Sequence, residues 1–119
     1  VYYANYFTIA ERARTELLRE AGHPYKQIEE ESGCFFPVRS CQCRYWGYAV
    51  YDDELILETR VTKLRHATLT FTTDILRAGG AKPLVSAVVE LACVGNDGKP
   101  RVIPDNLRAA LGEYLDLAE

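Results

Sequence analysis

Four thiols, two imidazoles and one short basic run carry the most reactive chemistry in this sequence, and their spacing limits what they can do. Cys41 and Cys43 stand two apart, so on a strand both would point to one face. Zinc sites favour pairs separated by two to four residues, with more histidine than His23 and His66 supply, so no metal is expected. Cys34, Cys41, Cys43 and Cys93 read better as buried free thiols. Gly79-Gly80 is a hairpin turn with no helix after it, which excludes a glycine-rich phosphate cradle. Asp52-Asp53 and Glu58 read as solvated turn and strand residues. Glu11 is the only acid in the first half of a helical segment. Lys63, Arg65 and His66 sit together in a strand connection, and Arg101 precedes a short apolar run; a solvated loop explains them unless an anion must be held.

These residues depend on a simple order of elements. From about Asn5 to Ala21, Tyr6, Ala10, Ala13, Leu17 and Ala21 recur at three- and four-residue steps, the apolar stripe of a helix. Asn5 can serve near its N-cap, and Gly22 and Pro24 stop it. After a polar connector, Gln27–Gly33, the period falls to two. Phe35–Tyr48 is strand-like; Leu55, Leu57, Thr59 and Val61 alternate with polar residues; Ala67, Leu69, Phe71, Thr73 and Ile75 do so again. Leu84–Val94 returns, Asn96-Asp97-Gly98 turns, Arg101–Ile103 predicts a last short strand, and Leu107, Ala110, Leu111 and Leu115 predict a C-terminal helix. One long helix followed by consecutive antiparallel strands defines an α+β fold whose sheet needs the helix as cover. A long central helix wrapped by a curved antiparallel sheet is the hotdog arrangement. Its open edges and uncovered face predict a homo-oligomer.

Bulk properties agree. With 119 residues the chain predicts one domain, residues 1–119, and 48% hydrophobic with 26% charged residues excludes disorder. A net charge of -3 gives no reason to expect nucleic acid, and no apolar run approaches a membrane span, so a cytoplasmic protein without membrane insertion is expected. The sequence holds no Met and begins at Val1, so a translated chain is expected to have residues upstream.

Three stretches carry a resemblance. VYYANYFTIAERARTELLREAG (Val1–Gly22) resembles the opening of the 4-hydroxybenzoyl-CoA thioesterase family, closest to its short bacterial acyl-CoA thioesterases linked to the Tol–Pal system. YWGYAVYDDELILETRV (Tyr45–Val61) is similar to the family's tyrosine, acidic-pair and strand signature, although Gly47-Tyr48-Ala49 stands where a Pro-Ala pair is usual. GKPRVIPDNL (Gly98–Leu107) is similar to its closing segment.

The resemblance implies a hotdog acyl-CoA thioester hydrolase that needs no cofactor and works as a dimer, pairing further into a tetramer. It places the family's catalytic Asp, with an N-terminal strand and catalytic loop, upstream of Val1, acting as nucleophile or as base for water. The amide of Tyr3 would polarise the thioester carbonyl, with Asn5 in support. Tyr3 stands where many relatives carry a histidine. Glu11 is an alternative carboxylate, although in Glu11-Arg12-Ala13-Arg14 an ion pair explains it as well. Lys63, Arg65, His66 and Arg101 would meet the CoA phosphates. The neighbouring subunit's Tyr45–Tyr51 strand would exclude water. The rival reading is a non-catalytic module binding acyl-CoA or an acyl carrier protein. Hydration of an enoyl thioester would need a His with an acid on the helix, and the helix offers none.

Overall fold

A computed structural model describes residues 3–47 and 54–115, apart from the side chains of residues 3–5 and 7. The helical stripe becomes α1, Tyr3–Glu20. Tyr6, Ala10, Leu17 and Leu18 are buried on it, together with Arg14, which the apolar pattern did not single out. The stop at Gly22 has a definite geometry: with φ 87° this residue lets the Gly22 amide bond to the Arg19 carbonyl at 3.0 Å and the His23 amide to the Leu18 carbonyl at 2.9 Å. These are the paired bonds of a Schellman end, which satisfy carbonyls the helix leaves open.

The connector expected after it is instead a second helix, α2, Tyr25–Ser32. Pro24 precedes it, Gly33 at φ 69° ends it, and Ile28 is its one buried residue. A single buried side chain in eight residues leaves no periodic trace, so only the flanking Pro and Gly marked it.

Four strands follow: β1 (Val38–Tyr45), β2 (Leu55–Leu64), β3 (Thr68–Arg77) and β4 (Val85–Ala92). All neighbours are antiparallel, and the order across the sheet is β1-β4-β3-β2. Only β2, β3 and β4 form the expected meander. β1 pairs with β4 and lies at the edge opposite β2, which corrects the reading of consecutive neighbours. The nine residues 46–54 between β1 and β2 have ample reach to cross three strand spacings, about 14 Å.

One face of the sheet meets α1. Val85, Ala87, Val89 and Leu91 of β4 are buried there in strict alternation, and Leu69, Phe71 and Ile75 of β3 join them, although Thr70 and Thr72 on the other face of β3 are buried too. Leu17 and Leu18 share the main core with Phe71, Leu91, Cys93 and Ile103, while Tyr6 packs with Ile75 and Val85 at the other end. Thr59 and Thr73 join hydroxyls at 2.9 Å across β2 and β3. The opposite face carries polar residues, tied by Thr62 to Thr72 at 3.0 Å and by Arg60 to Asp74 at 2.8 Å. Each edge strand holds one register shift, between Val38 and Ser40 in β1 and between Val61 and Lys63 in β2.

The strand expected at Arg101–Ile103 does not form. Arg101 donates its amide to the Cys93 carbonyl and Ile103 to the His66 carbonyl, each at 2.9 Å, so the segment is stitched to the sheet without a ladder. Pro100 and Pro104 flank it and bring no N–H. The C-terminal helix forms as expected: α3, Asp105–Gly112, buries Leu107 and Leu111.

Phe71, only 1% exposed, sits where helix and sheet meet. Replacing it with Ala is expected to cost about 3–5 kcal/mol. Urea unfolding followed by circular dichroism should show the midpoint fall with little change in slope.

Candidate active site

The N-terminal end of α1 is the first functional feature. Tyr3 is the first helical residue, and no acid occupies the first turn, so its unpaired amides and positive dipole end are not neutralised by an acidic side chain of that turn. Asn5 lies inside the helix rather than at its cap, and the side chains of Tyr3 and Asn5 fall outside the described residues. The position of this end is set by Tyr6. That side chain is 1% exposed, and its ring stands 5.8 Å from that of Tyr45 at the end of β1, tilted by 60°. Trp46 and Gly47 continue past Tyr45, both donating amides to the Leu84 carbonyl, at 2.9 and 3.1 Å. Tyr45 therefore offers exposed aromatic surface close to the helix tip, while the exposed Trp46 lines a groove on the opposite face of the sheet. Tyr48–Tyr51, the rest of the expected water-excluding strand, lies outside the described residues.

Glu11 does not join this end. It is exposed and lies about 12 Å along the helix from Tyr3. Among the described residues it makes no ion pair; its carbonyl accepts the Thr15 hydroxyl at 2.9 Å. The buried Arg14 also lacks a carboxylate partner there and donates Nε to the Tyr25 hydroxyl at 3.1 Å. Burial pushes the Tyr25 phenol above its ordinary range, against the opposing pull of Arg14. This Arg14–Tyr25 bond, which locks α1 to α2, was visible in sequence only as a cation standing on an apolar stripe.

The cations expected to meet phosphate gather elsewhere. Arg65 and His66, both exposed, form the β2–β3 connection, and their carbonyls accept the Arg108 guanidinium, at 2.6 and 3.1 Å. Arg101 sits beside them, because the Cys93 amide bonds to Ala67 and the Arg101 amide to Cys93. Lys63 points differently. The register shift after Val61 turns it to the outer face of the sheet, where it lines a groove with Arg44, Trp46 and Arg60. The length of β4 separates this basic end from the end that holds Tyr6 and Tyr3, about 25 Å. The structure thus brings the segments that carry Arg65, His66 and Arg101 together and leaves Tyr3 and Asn5 at the opposite end of the sheet.

The thiols are free. Cys34 and Cys93 are buried as expected, but Cys41 is exposed and Cys43 half-buried, because β1 is an edge strand. Burial raises the pKa of Cys41 and Cys43, and burial with the neighbouring Cys34 pushes Cys93 up to about 12.

A long helix lying along an antiparallel sheet with this strand order is the hotdog architecture, and comparison with known proteins gives it a family. Residues 1–84 match the thioesterase superfamily, and the chain belongs to that superfamily. It is 35% identical to the acyl-CoA thioesterase YbgC of Haemophilus influenzae over 111 residues, covering 92% of this chain and 80% of that protein. It is similar in structure to a probable thioesterase from Bartonella henselae, with a TM-score of 0.76 and 35% identity over 87% of this chain and 85% of that one. A 4-hydroxybenzoyl-CoA thioesterase variant solved with 4-hydroxybenzoyl-CoA shares the fold at a TM-score of 0.83, with 24% identity, over 93% of this chain and 85% of that one. The family expected from the sequence is borne out.

The thiol environments can be checked directly. In a Cys41→Ser/Cys43→Ser variant, Ellman's reagent at pH 8 is expected to find no fast-reacting thiol until denaturant exposes Cys34 and Cys93. Fast reaction of the folded variant would place one of those two near the surface.

Proposed function

We propose that this protein hydrolyses acyl-CoA thioesters to the free acid and CoA. The observation that carries the reading is the acid-free N-terminus of α1, held against the sheet by Tyr6 beside the exposed Tyr45, in a chain of the thioesterase superfamily. The Tyr3 amide donates to the thioester oxygen as charge develops on it, and Asn5 supports that end. A carboxylate preceding Val1, which the family resemblance implies, attacks the carbonyl carbon or takes a proton from the attacking water. Water supplies the hydroxyl of the acid and the proton of the departing thiol, so the reaction balances without a cofactor.

The phosphates of CoA fall to Arg65, His66 and Arg101, with Lys63 as an outlying cation. One chain holds these about 25 Å from its own helix tip, and the resulting need for a second copy supports the homo-oligomer. β1 is an open edge running from Val38, near the basic end, to Tyr45, near the helix tip. Antiparallel pairing of two such edges about a two-fold axis sets the basic end of one chain beside the helix tip of the other. The substrate then lies between subunits, the edge strands exclude water, and two dimers associate into a tetramer. The reading carries a cytoplasmic location with it.

A thiol-release assay with short, medium, long and aromatic acyl-CoAs tests this. Removing the carboxylate that precedes Val1 is expected to lower kcat at least about a hundredfold. Tight acyl-CoA binding without release from any substrate would make the protein an acyl-thioester-binding module instead. Arg65→Ala is expected to raise KM about tenfold with little change in kcat. Unchanged kinetics across the substrate series would remove Arg65 from the site.

A further inference from the structure

Gly95 has no backbone reason to be glycine. Gly22, Gly33, Gly79 and Gly98 have positive φ, which only glycine adopts freely, but Gly95 does not. What fills the space beside it is Arg101. A Cβ on residue 95 would stand 2.6 Å from the Arg101 Nε, 2.9 Å from its Cζ and 3.0 Å from one Nη. The guanidinium therefore lies in the place a side chain would occupy, flat against the backbone just beyond β4. Among the described residues Arg101 has no side-chain hydrogen bond and no ion pair, so its N–H donors are unspent. Its main chain is fixed by the amide bond to Cys93 at 2.9 Å, and the hairpin below it is closed by the Gly95 amide on the Lys99 carbonyl at 3.0 Å.

We propose that Gly95 is a positioning residue for phosphate recognition: the bare backbone at residue 95 holds the Arg101 guanidinium in place for an anionic phosphate ester. A free arginine must give up several rotors when it binds, and a shelf that confines the guanidinium beforehand lowers that cost. The proposal rests on the reading that Arg101 meets the phosphates of CoA, and it adds what makes Arg101 ready to do so. Because only the flexible end of Arg101 stands in the way, Gly95→Ala should fold normally while displacing the guanidinium.

The test is a double-mutant cycle of Gly95→Ala and Arg101→Ala, read by KM and kcat with an acyl-CoA and with the matching acyl-pantetheine, which lacks the nucleotide phosphates. Calorimetric binding of CoA gives a readout independent of turnover. Each single variant is expected to raise KM for the acyl-CoA and Kd for CoA by up to about tenfold, with kcat unchanged. The double variant should match Arg101→Ala alone, and all variants should match wild type on acyl-pantetheine. Wild-type affinity in Arg101→Ala would overturn the reading of Arg101 itself. Weakened binding in Arg101→Ala with normal binding in Gly95→Ala would overturn the shelf alone. A further loss when Gly95→Ala is added to Arg101→Ala, or a loss on acyl-pantetheine, would make Gly95 structural and also overturn it.

Discussion

The contact between α1 and the inner face of the sheet is the constraint on which the rest depends. A sheet of four strands with one apolar face is stable in water only if that face is covered, and α1 covers it from end to end. The helix buries two groups of side chains, Leu17 and Leu18 at one end and Tyr6 at the other. At the first end the contact gathers Ile103 and Leu107 into the same core and so fixes the closing segment. At the second it decides where the unpaired amides of the helix tip lie. Packing and chemistry therefore share one element: the helix cannot shift to improve its fit without moving its charged end.

Much of this could be read in the sequence because it was written in periods. The 3.6-residue stripe of α1 and the two-residue alternation of β3 and β4 name the buried face directly, and the burial of Leu69, Phe71, Ile75, Val85, Ala87, Val89 and Leu91 follows them. The misses have physical causes. Pairing order is set by how a chain crosses space, not by the alternation within a strand, so β1 moved to the far edge without a sign in its composition. α2 was invisible because one buried Ile28 makes no period. The last strand fails because Pro100 and Pro104 confine it to three residues, whose bonded amides go to two different segments, Arg101 to Cys93 and Ile103 to His66.

The candidate site was legible in kind but not in place. The helix opening was marked by its motif and its lack of early acids. Backbone bonds through Cys93, Ala67 and His66 bring the segments that carry Arg65, His66 and Arg101 together, a neighbourhood no period in the sequence displays. Their distance from Tyr3 could not be read, since it is the length of β4 seen from both ends. Lys63 parts from Arg65 for a local reason: the extra residue in β2 turns Lys63 to the outer face of the sheet, while β2 ends at Leu64 and Arg65 already belongs to the connection.

That extra residue has a counterpart. The register shift in β2 falls opposite Phe71 and Thr70, and the shift in β1 falls opposite Leu91 and Glu90. Since Phe71 pairs with Val89, Thr70 with Glu90 and Leu69 with Leu91, the two irregularities stand within about one rung of each other on opposite edges. Each adds local twist and bends its strand. Together they score a crease straight across the sheet, like the fold line in a sheet of card. Both bends fall on one transverse line, which divides the sheet into two panels: Tyr6 and Tyr45 lie at one, the Arg65–His66 connection at the other. The angle between those panels is a shape parameter set by two inserted residues, Arg39 and Thr62, neither of which reaches the core.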